Sequence, residues 1–393
     1  MTATRHFLLA AGGTGGHMLP AYALAGELIA RGHRVALVSD DRGLKIPGAP
    51  AEMDTHVLPA GRVSGGPLGW IKAALAIRKG RRQAIDLIRI FDPAVVVGFG
   101  GYPSLPSLLA AGSTKRPRVI HEQNAVLGRV NRLMTPRVDA VAVAYRHIQR
   151  FPAGHEMKLH ITGNPVRDAI VDIREDGFPP LPEDGIFRLL VVGGSLGATV
   201  LSDVVPAAIA MLPRALLDRL QVVQQAREDD MEAVRAKYAE LGVAAECAPY
   251  IADFPERLRW AHLVIARAGA STVAELACAG RPAIFVPYPH AMDDHQTYNV
   301  VDLVEAGGAI AFQQPDFTAA EVAKHIQRMA LEPGALEEAA ERAAGCGLPD
   351  ATRDLADLVE SFAAPPMMDV IRVGSPARSA TAGSVAATRA GGA

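Results

Sequence analysis

Twice in this chain an apolar run breaks on a cluster of glycines and leads into a helical stretch. The first junction is Phe7-Leu-Leu-Ala-Ala-Gly-Gly-Thr-Gly-Gly16 and the second is Leu189-Leu-Val-Val-Gly-Gly-Ser-Leu-Gly197. A strand that ends on glycine just before a helix belongs to a βαβ unit. Glycine there lets backbone come close to a ligand and aims helix N–H groups at an anion, and it equally serves a tight turn. Two such loops, each opening half of the chain, point to a ligand cleft between two domains.

The remaining apolar runs extend the pattern. Phe7–Ala11, Arg34–Ser39, Ala94–Gly98, Arg118–His121 and Ala140–Ala144 read as buried parallel strands with helical stretches between most of them. After Gly163-Asn-Pro165 the series restarts with Leu189–Val192, Gln221–Gln224, Leu263–Ala266 and Ala283–Val286. Strands alternating with helices imply α/β domains with doubly wound parallel sheets. The length of 393 residues suits two of them, and an apolar share of 49% fills their cores. From about Ala363 the chain turns to Ala, Gly, Ser, Thr, Pro and Arg, which reads as a flexible tail.

Charge and cysteine content exclude several classes. With 40 basic and 42 acidic side chains the net charge is −2, so nothing draws the whole chain to nucleic acid. Cys247, Cys278 and Cys346 are too few and too scattered for a disulfide framework or a zinc site. No His/Asp/Glu set has metal-ligand spacing. The uncharged stretch His6–Gly26 is interrupted by four glycines before Pro20, which argues against a spanning helix, and Phe7–Ala11 is short for a signal peptide. The protein is expected to be soluble or attached to a membrane from one side.

Several segments carry candidate chemistry. Gly12-Gly-Thr-Gly-Gly-His17 lacks the Lys-Ser/Thr pair of a Walker loop, and Met18 spoils the dinucleotide fingerprint. His17 sits at the mouth of a helix that Pro20 is expected to help start. A helix N-terminus disfavours imidazolium, so His17 either accepts a proton near pH 7 or is a capping or exposed side chain. Tyr102 and the run His121-Glu-Gln-Asn124 lie beyond strand ends, where open α/β sheets bind ligands. They either touch a ligand or hold loops in place. In Arg267-Ala-Gly-Ala-Ser-Thr-Val-Ala-Glu275, a helix N-terminus suits a pyrophosphate, while Thr272 and Glu275 match a capping box. Gln296 and Asn299 share a face if their polar loop is helical. Trp70, Ile71, Leu75 and Ile77 mix with Lys72, Arg78, Lys79, Arg81 and Arg82, either at an anionic bilayer surface or as a packed amphipathic helix with a solvated basic face.

Taken in order, Gly12–His17, Gly100–Ser104, His121–Asn124, Gly163–Arg167, Gly193–Ala198, Arg267–Glu275 and Asp294–Asn299 resemble the MurG family of bacterial N-acetylglucosaminyltransferases. The resemblance covers about residues 5–360 and leaves out the tail. It implies a GT-B architecture, two Rossmann-like domains facing across a cleft, with residues 1–164 binding acceptor and membrane, 165–362 binding UDP-GlcNAc, and 363–393 as the tail. It implies inverting transfer of GlcNAc from UDP-GlcNAc to the 4-hydroxyl of MurNAc in undecaprenyl-linked lipid I, giving lipid II for peptidoglycan, with no cofactor and no catalytic metal. Carried over by position, donor contacts fall on Thr14, Gly15, Gly16, Asn124, Arg167, Ser195, Ile251, Ala270, Ser271, Thr272, Val273, Ala274, Glu275 and Gln296. Ile251 would hold uracil through its backbone, and Glu275 the ribose hydroxyls. Tyr102, His121 and Asn131 fall on the acceptor side. His17 is the candidate base and Glu122 the second. The Trp70–Arg82 segment matches the family's membrane-facing patch, which places the protein at the cytoplasmic face of the inner membrane beside other cell-wall synthesis proteins. Ala266 departs from the serine common in relatives. Two other readings use the same residues: a GT-B enzyme for a soluble acceptor or a UDP-GlcNAc epimerase, and a silent scaffold.

Overall fold

The structure is a computed structural model and describes residues 3–59, 66–194 and 197–363. The side chains of Pro67, Leu68 and Trp70, the donor-contact candidate Ser195 and the expected tail beyond Ala363 lie outside the described residues.

Among the described residues, the first sheet comprises β1 (His6–Ala10), β2 (Arg34–Ser39), β3 (Asp54–Val57), β4 (Val95–Gly98), β5 (Arg118–Glu122), β6 (Ala140–Val143) and β7 (Leu159–Ile161). Their order is 3-2-1-4-5-6-7, and every neighbouring pair is parallel. The second sheet comprises β8 (Phe187–Val192), β9 (Leu220–Gln225), β10 (Ala244–Ala248), β11 (Leu263–Ala266), β12 (Ala283–Phe285) and β13 (Ala309–Ala311), in the order 10-9-8-11-12-13 and again parallel. The expected α/β class with two parallel sheets is what forms. Strand ends differ from expectation by a residue or two, and β3, β7, β10 and β13 were not expected: the first three carry no continuous apolar run, and that of β13 is short.

Both faces of each sheet are covered, which is why the strands read as continuous apolar runs. In β1, Phe7 and Leu9 enter one core with Met18, Leu24 and Leu28 of the helix Gly15–Ala30. Leu8 and Ala10 enter the opposite core with Ile88 and Leu108. β8 divides likewise, Leu189 and Val191 to one side and Leu190 and Val192 to the other. In each sheet the strand order reverses between β1 and β4 or between β8 and β11, and the glycine loops follow β1 and β8. Backbone N–H groups and helix starts therefore gather at these switch points.

Two expectations about helices change. Pro20 does not start its helix; the helix begins at Gly15, with Thr14 extended at its N-cap, and Pro20 lies inside it. Glycines can take helical angles, so the turn continues back through them. The last helix, Ala351–Ser361, packs on the first sheet's core through Leu355, Ala356 and Val359, so its packing departs from a second domain spanning 165–362.

Candidate functional site

The loops after β1 and β8 meet across one cavity of about 1070 Å³. Gly13, Thr14 and Gly15 line it from the first lobe; Arg167, Gly194, Ile251, Thr272 and Glu275 line it from the second. Gln225 holds the second loop in place: its Oε1 accepts from Gly193 N–H (3.1 Å) and its Nε2 donates to the Gly194 and Pro249 carbonyls. Glycine at position 12 is required by packing, since a Cβ there would fall 2.3 Å from the Pro103 ring. The Pro103 ring of the loop after β4 occupies the space that a side chain at position 12 would need.

His17 stands in the first turn of the helix Gly15–Ala30, two residues after the lining residue Gly15, and is not itself part of the cavity lining. Its Nδ1 is 3.0 Å from the Gly12 carbonyl, which can only accept, so Nδ1 carries the proton and Nε2 keeps its lone pair. The Thr14 hydroxyl is also 3.0 Å from Nδ1. A Cβ on Gly100, where φ is +88°, would come within 3.3 Å of Nε2. Burial lowers the imidazole pKa below its ordinary value of 6.5, partly opposed by the Glu122 carboxylate and the Gly12 hydrogen bond. His17 is therefore neutral at pH 7.

Glu122 is buried and spent on loop geometry. One oxygen accepts from Asn124 N–H (3.1 Å) and Asn124 Nδ2 (3.2 Å); the other accepts from Gly128 N–H (2.7 Å) and Asn131 Nδ2 (2.9 Å). Both oxygens are thus occupied by donors of the loop that the carboxylate holds together. His121 is fully buried as well. Its Nε2–H donates to the Gly163 carbonyl (2.9 Å), its Nδ1 accepts from Gln123 Nε2 (3.2 Å), and burial pushes its pKa down to about 4. The acceptor-side position expected for His121 is thus inside the protein, holding the segment that links the lobes. Asn131 is buried too, and Tyr102 is half-buried.

Across the cleft, the helix Ala270–Cys278 has Gly269 at its N-cap, so Thr272 is already its third residue. The capping box expected from Thr272 and Glu275 does not form. Glu275 is buried and its Oε1 takes both Nε (2.9 Å) and Nη2 (2.7 Å) of Arg167, whose guanidinium lies 5.6 Å from the Phe254 ring centroid. Burial raises the Glu275 pKa, with Arg167 opposing it. Ala270 and Ser271 stand at the helix start, and the Ser271 hydroxyl is buried without a protein partner. Val273 and Ala274 instead face a separate cavity of about 270 Å³, so their side chains do not line the cleft. Gly16 and Gln296 are outside the cavity lining; Gln296 Oε1 accepts from Tyr288 N–H (2.9 Å), which leaves Nε2 as its donating end.

The sequence singles out Asn299 only for its spacing from Gln296 and gives it no role at the site. It is fully buried on the helix His295–Asn299, where Oδ1 accepts from Ala125 N–H (2.8 Å) and Nδ2 donates to Asn124 Oδ1 (3.2 Å) and the Ala268 carbonyl (3.1 Å). Its spacing from Gln296 was the available signal. Gln225, Phe254 and Arg42, which also line the cavity, gave no such signal.

The Trp70–Arg82 segment lies on the helix Gly66–Phe91. Ile71 and Leu75 are 56% and 61% exposed, beside exposed Lys72, Arg78, Lys79 and Arg82, while Ile77 packs toward the core. Among the described residues no helix is long and apolar enough to cross a membrane, and no three His, Cys, Asp or Glu side chains group as a metal site.

Two parallel-sheet lobes with glycine loops and an acidic–basic pair around a shared cleft make up a GT-B architecture, the class of fold to which sugar-nucleotide enzymes such as glycosyltransferases belong. Residues 7–143 match the glycosyltransferase family 28 N-terminal domain, and residues 188–355 its C-terminal domain. The chain belongs to glycosyltransferase family 28 and, within it, to the MurG enzymes. It is 89% identical, over 99% of both chains, to the UDP-N-acetylglucosamine–N-acetylmuramyl-(pentapeptide) pyrophosphoryl-undecaprenol N-acetylglucosamine transferase of Sphingopyxis alaskensis. It resembles the crystal structure of Acinetobacter baumannii MurG with a TM-score of 0.72 and 32% identity, covering 91% of this chain and 99% of that one. A UDP-GlcNAc 2-epimerase from Neisseria meningitidis shares the fold at a TM-score of 0.62 and 14% identity, over 91% and 100% of the two chains.

Proposed function

We propose that this protein transfers GlcNAc from UDP-GlcNAc to the MurNAc 4-hydroxyl of undecaprenyl-pyrophosphoryl-MurNAc-pentapeptide, lipid I, giving lipid II in one inverting displacement. The observation that carries the reading is the meeting of both glycine loops, Arg167, Ile251 and Glu275 around one cavity large enough for a sugar nucleotide. The near-identity to the Sphingopyxis transferase favours it over an epimerase, which shares only the fold.

In this reading His17 Nε2 takes the proton of the acceptor hydroxyl as the glycosidic bond to UDP breaks. The charge then formed on the imidazole is steadied by the Gly12 carbonyl at Nδ1 and the field of Glu122. Glu122 is a positioning group, consistent with its four donors, rather than a second base. Backbone N–H groups of the glycine loops and of the helix start Ala270–Thr272 stabilise the departing diphosphate. Glu275 binds the ribose hydroxyls with the carboxylate oxygen that Arg167 leaves free. Ile71, Leu75 and the neighbouring cations dock the first lobe on the anionic cytoplasmic face of the inner membrane, where a lipid-linked acceptor is found.

A transfer assay with radiolabelled UDP-GlcNAc and a short-chain lipid I analogue tests this. Label appearing in the disaccharide product, with activity unchanged by EDTA, is the expected result. Epimerisation or hydrolysis without transfer would overturn it.

A further inference from the structure

The helix His295–Asn299 belongs to the second lobe, yet the first lobe grips it at both ends. At its far end Asn299 bonds Asn124 and Ala125, as described above. Just before its start, Asp293 reaches across to two first-lobe arginines: Oδ2 to Arg132 Nη2 at 2.7 Å and Oδ1 to Arg150 Nη1 at 2.6 Å. The Asp293 carboxylate is 17% exposed, which strengthens both pairs relative to open surface ones. Asp293, Asp294 and Arg150 also have φ of +57°, +55° and +60°, three of the five non-glycine residues with positive φ among the described residues. Backbone in that region persists where its surroundings over-determine it, and here the surroundings are the ion pairs.

Gln296, three residues after Asp293, is held between these two anchors. Arg132 follows Asn131, whose amide donates to Glu122. The acceptor-side helix Arg129–Met134 and the Gln296 segment are therefore joined by a single carboxylate.

We propose that Asp293 is a positioning residue for the sugar donor: by bridging Arg132 and Arg150 it makes the first lobe set the place of Gln296 against the sugar. The inference rests on the reading of Gln296 as a donor contact. In the proposed reading uridine and diphosphate fall to Ile251, Glu275, both glycine loops and the helix start Ala270–Thr272, none of which Asp293 holds, so losing the bridge misplaces the sugar end and leaves the UDP end alone.

Asp293→Asn in the full chain isolates the charge, because asparagine tolerates the same left-handed backbone. Calorimetry with UDP and with UDP-GlcNAc should show UDP affinity unchanged and UDP-GlcNAc affinity reduced. With the lipid I analogue, kcat/KM for UDP-GlcNAc should fall roughly 10- to 100-fold, the scale of a misplaced reactant. Arg132→Met should fall comparably, Arg132→Lys should recover most of the loss, and the Asp293→Asn/Arg132→Met pair should be no worse than the more impaired single variant. If Asp293→Asn fails to fold, the Arg132 series decides alone. Wild-type kcat/KM, equal losses of UDP and UDP-GlcNAc affinity, or additive losses in the pair would each overturn the proposal. A wild-type protein that binds UDP-GlcNAc without transferring it would refute the proposed function, and the affinity ratio would still decide the role of Asp293.

Discussion

Nδ1 of His17 has a carbonyl oxygen 3.0 Å away, and that contact decides which nitrogen can do chemistry. With Nδ1 protonated and burial holding the ring neutral, Nε2 is available as a base throughout the range above its lowered pKa. Replacing His17 with alanine should lower kcat by roughly 10²–10⁴, the usual worth of a general base, with UDP-GlcNAc affinity nearly unchanged. The sign of the shift adds a second expectation. Because the pKa is below 6.5, the acid limb of wild-type turnover should lie below that pH, and the alanine variant's pH profile should lack it. Wild-type turnover in the variant removes His17 from the mechanism. The sequence offered His17 and Glu122 as rivals, since adjacency to a strand end does not reveal burial or partners. The four donors around Glu122 come from positions 124, 128 and 131, which only the folded loop brings to one carboxylate.

Strands β3, β7, β10 and β13, the four that the apolar pattern did not reveal, are the four sheet edges. An edge strand has one open side and less covered surface, so Asp54–Val57 and Ala244–Ala248 keep polar or small residues and show no continuous apolar run. Interior strands are covered on both faces and were legible for that reason. Helix starts were harder, because glycine can lie either before or within a first turn. At Ala270–Cys278 that ambiguity matters: with the N-cap at Gly269, Glu275 is free of capping and paired with Arg167. Glu275→Gln should therefore weaken UDP binding roughly tenfold or more, as for a lost charge-assisted hydrogen bond, and whatever stability it loses comes from the broken Arg167 pair, not from a cap. Calorimetry reads the affinity, and intact affinity would refute the ribose contact. On the helix Gly66–Phe91, Ile71 and Leu75 stand out from the surface beside cations, whereas Ile77 is packed. Changing both exposed residues to serine should cut binding to vesicles of anionic phospholipid by about tenfold or more and leave the melting temperature within about a degree, since neither supports the core. Unchanged co-sedimentation would favour a purely solvated face.

The lobes are tied by chain segments as well as by the cleft. The last helix returns to the first lobe, where Glu360 accepts from His33 Nε2 (2.6 Å) and pairs with Arg31. Nothing in a sequence of alternating strands and helices announces such a crossing, because Leu355 and Val359 would suit either core. His121 provides a second tie through the Gly163 carbonyl, and it makes the molecule sensitive to acid. Its Nδ1 must stay unprotonated to accept from Gln123, and a charge there would be wholly buried. The second lobe has a counterpart in His262, whose Nδ1 accepts from Arg188 N–H (3.0 Å) and whose pKa burial likewise pushes down to about 4. Between about pH 6.5 and pH 4 the unfolded chain binds these protons and the native protein does not. Stability must then fall as pH drops through that window, by about 3 kcal/mol for His121 if its shift is fully expressed. The carboxylates Asp40 and Glu360, whose pKa values are lowered by their hydrogen bonds to Arg42 and His33, keep their contributions down to about pH 4 and lose them only below it. Urea midpoints measured from pH 7 to pH 4.5 should accordingly decline in the wild-type protein, and less steeply in His121→Gln, which removes one of the rings that burial holds neutral. A flat wild-type profile across that range would mean that the fold does not hold these imidazoles neutral.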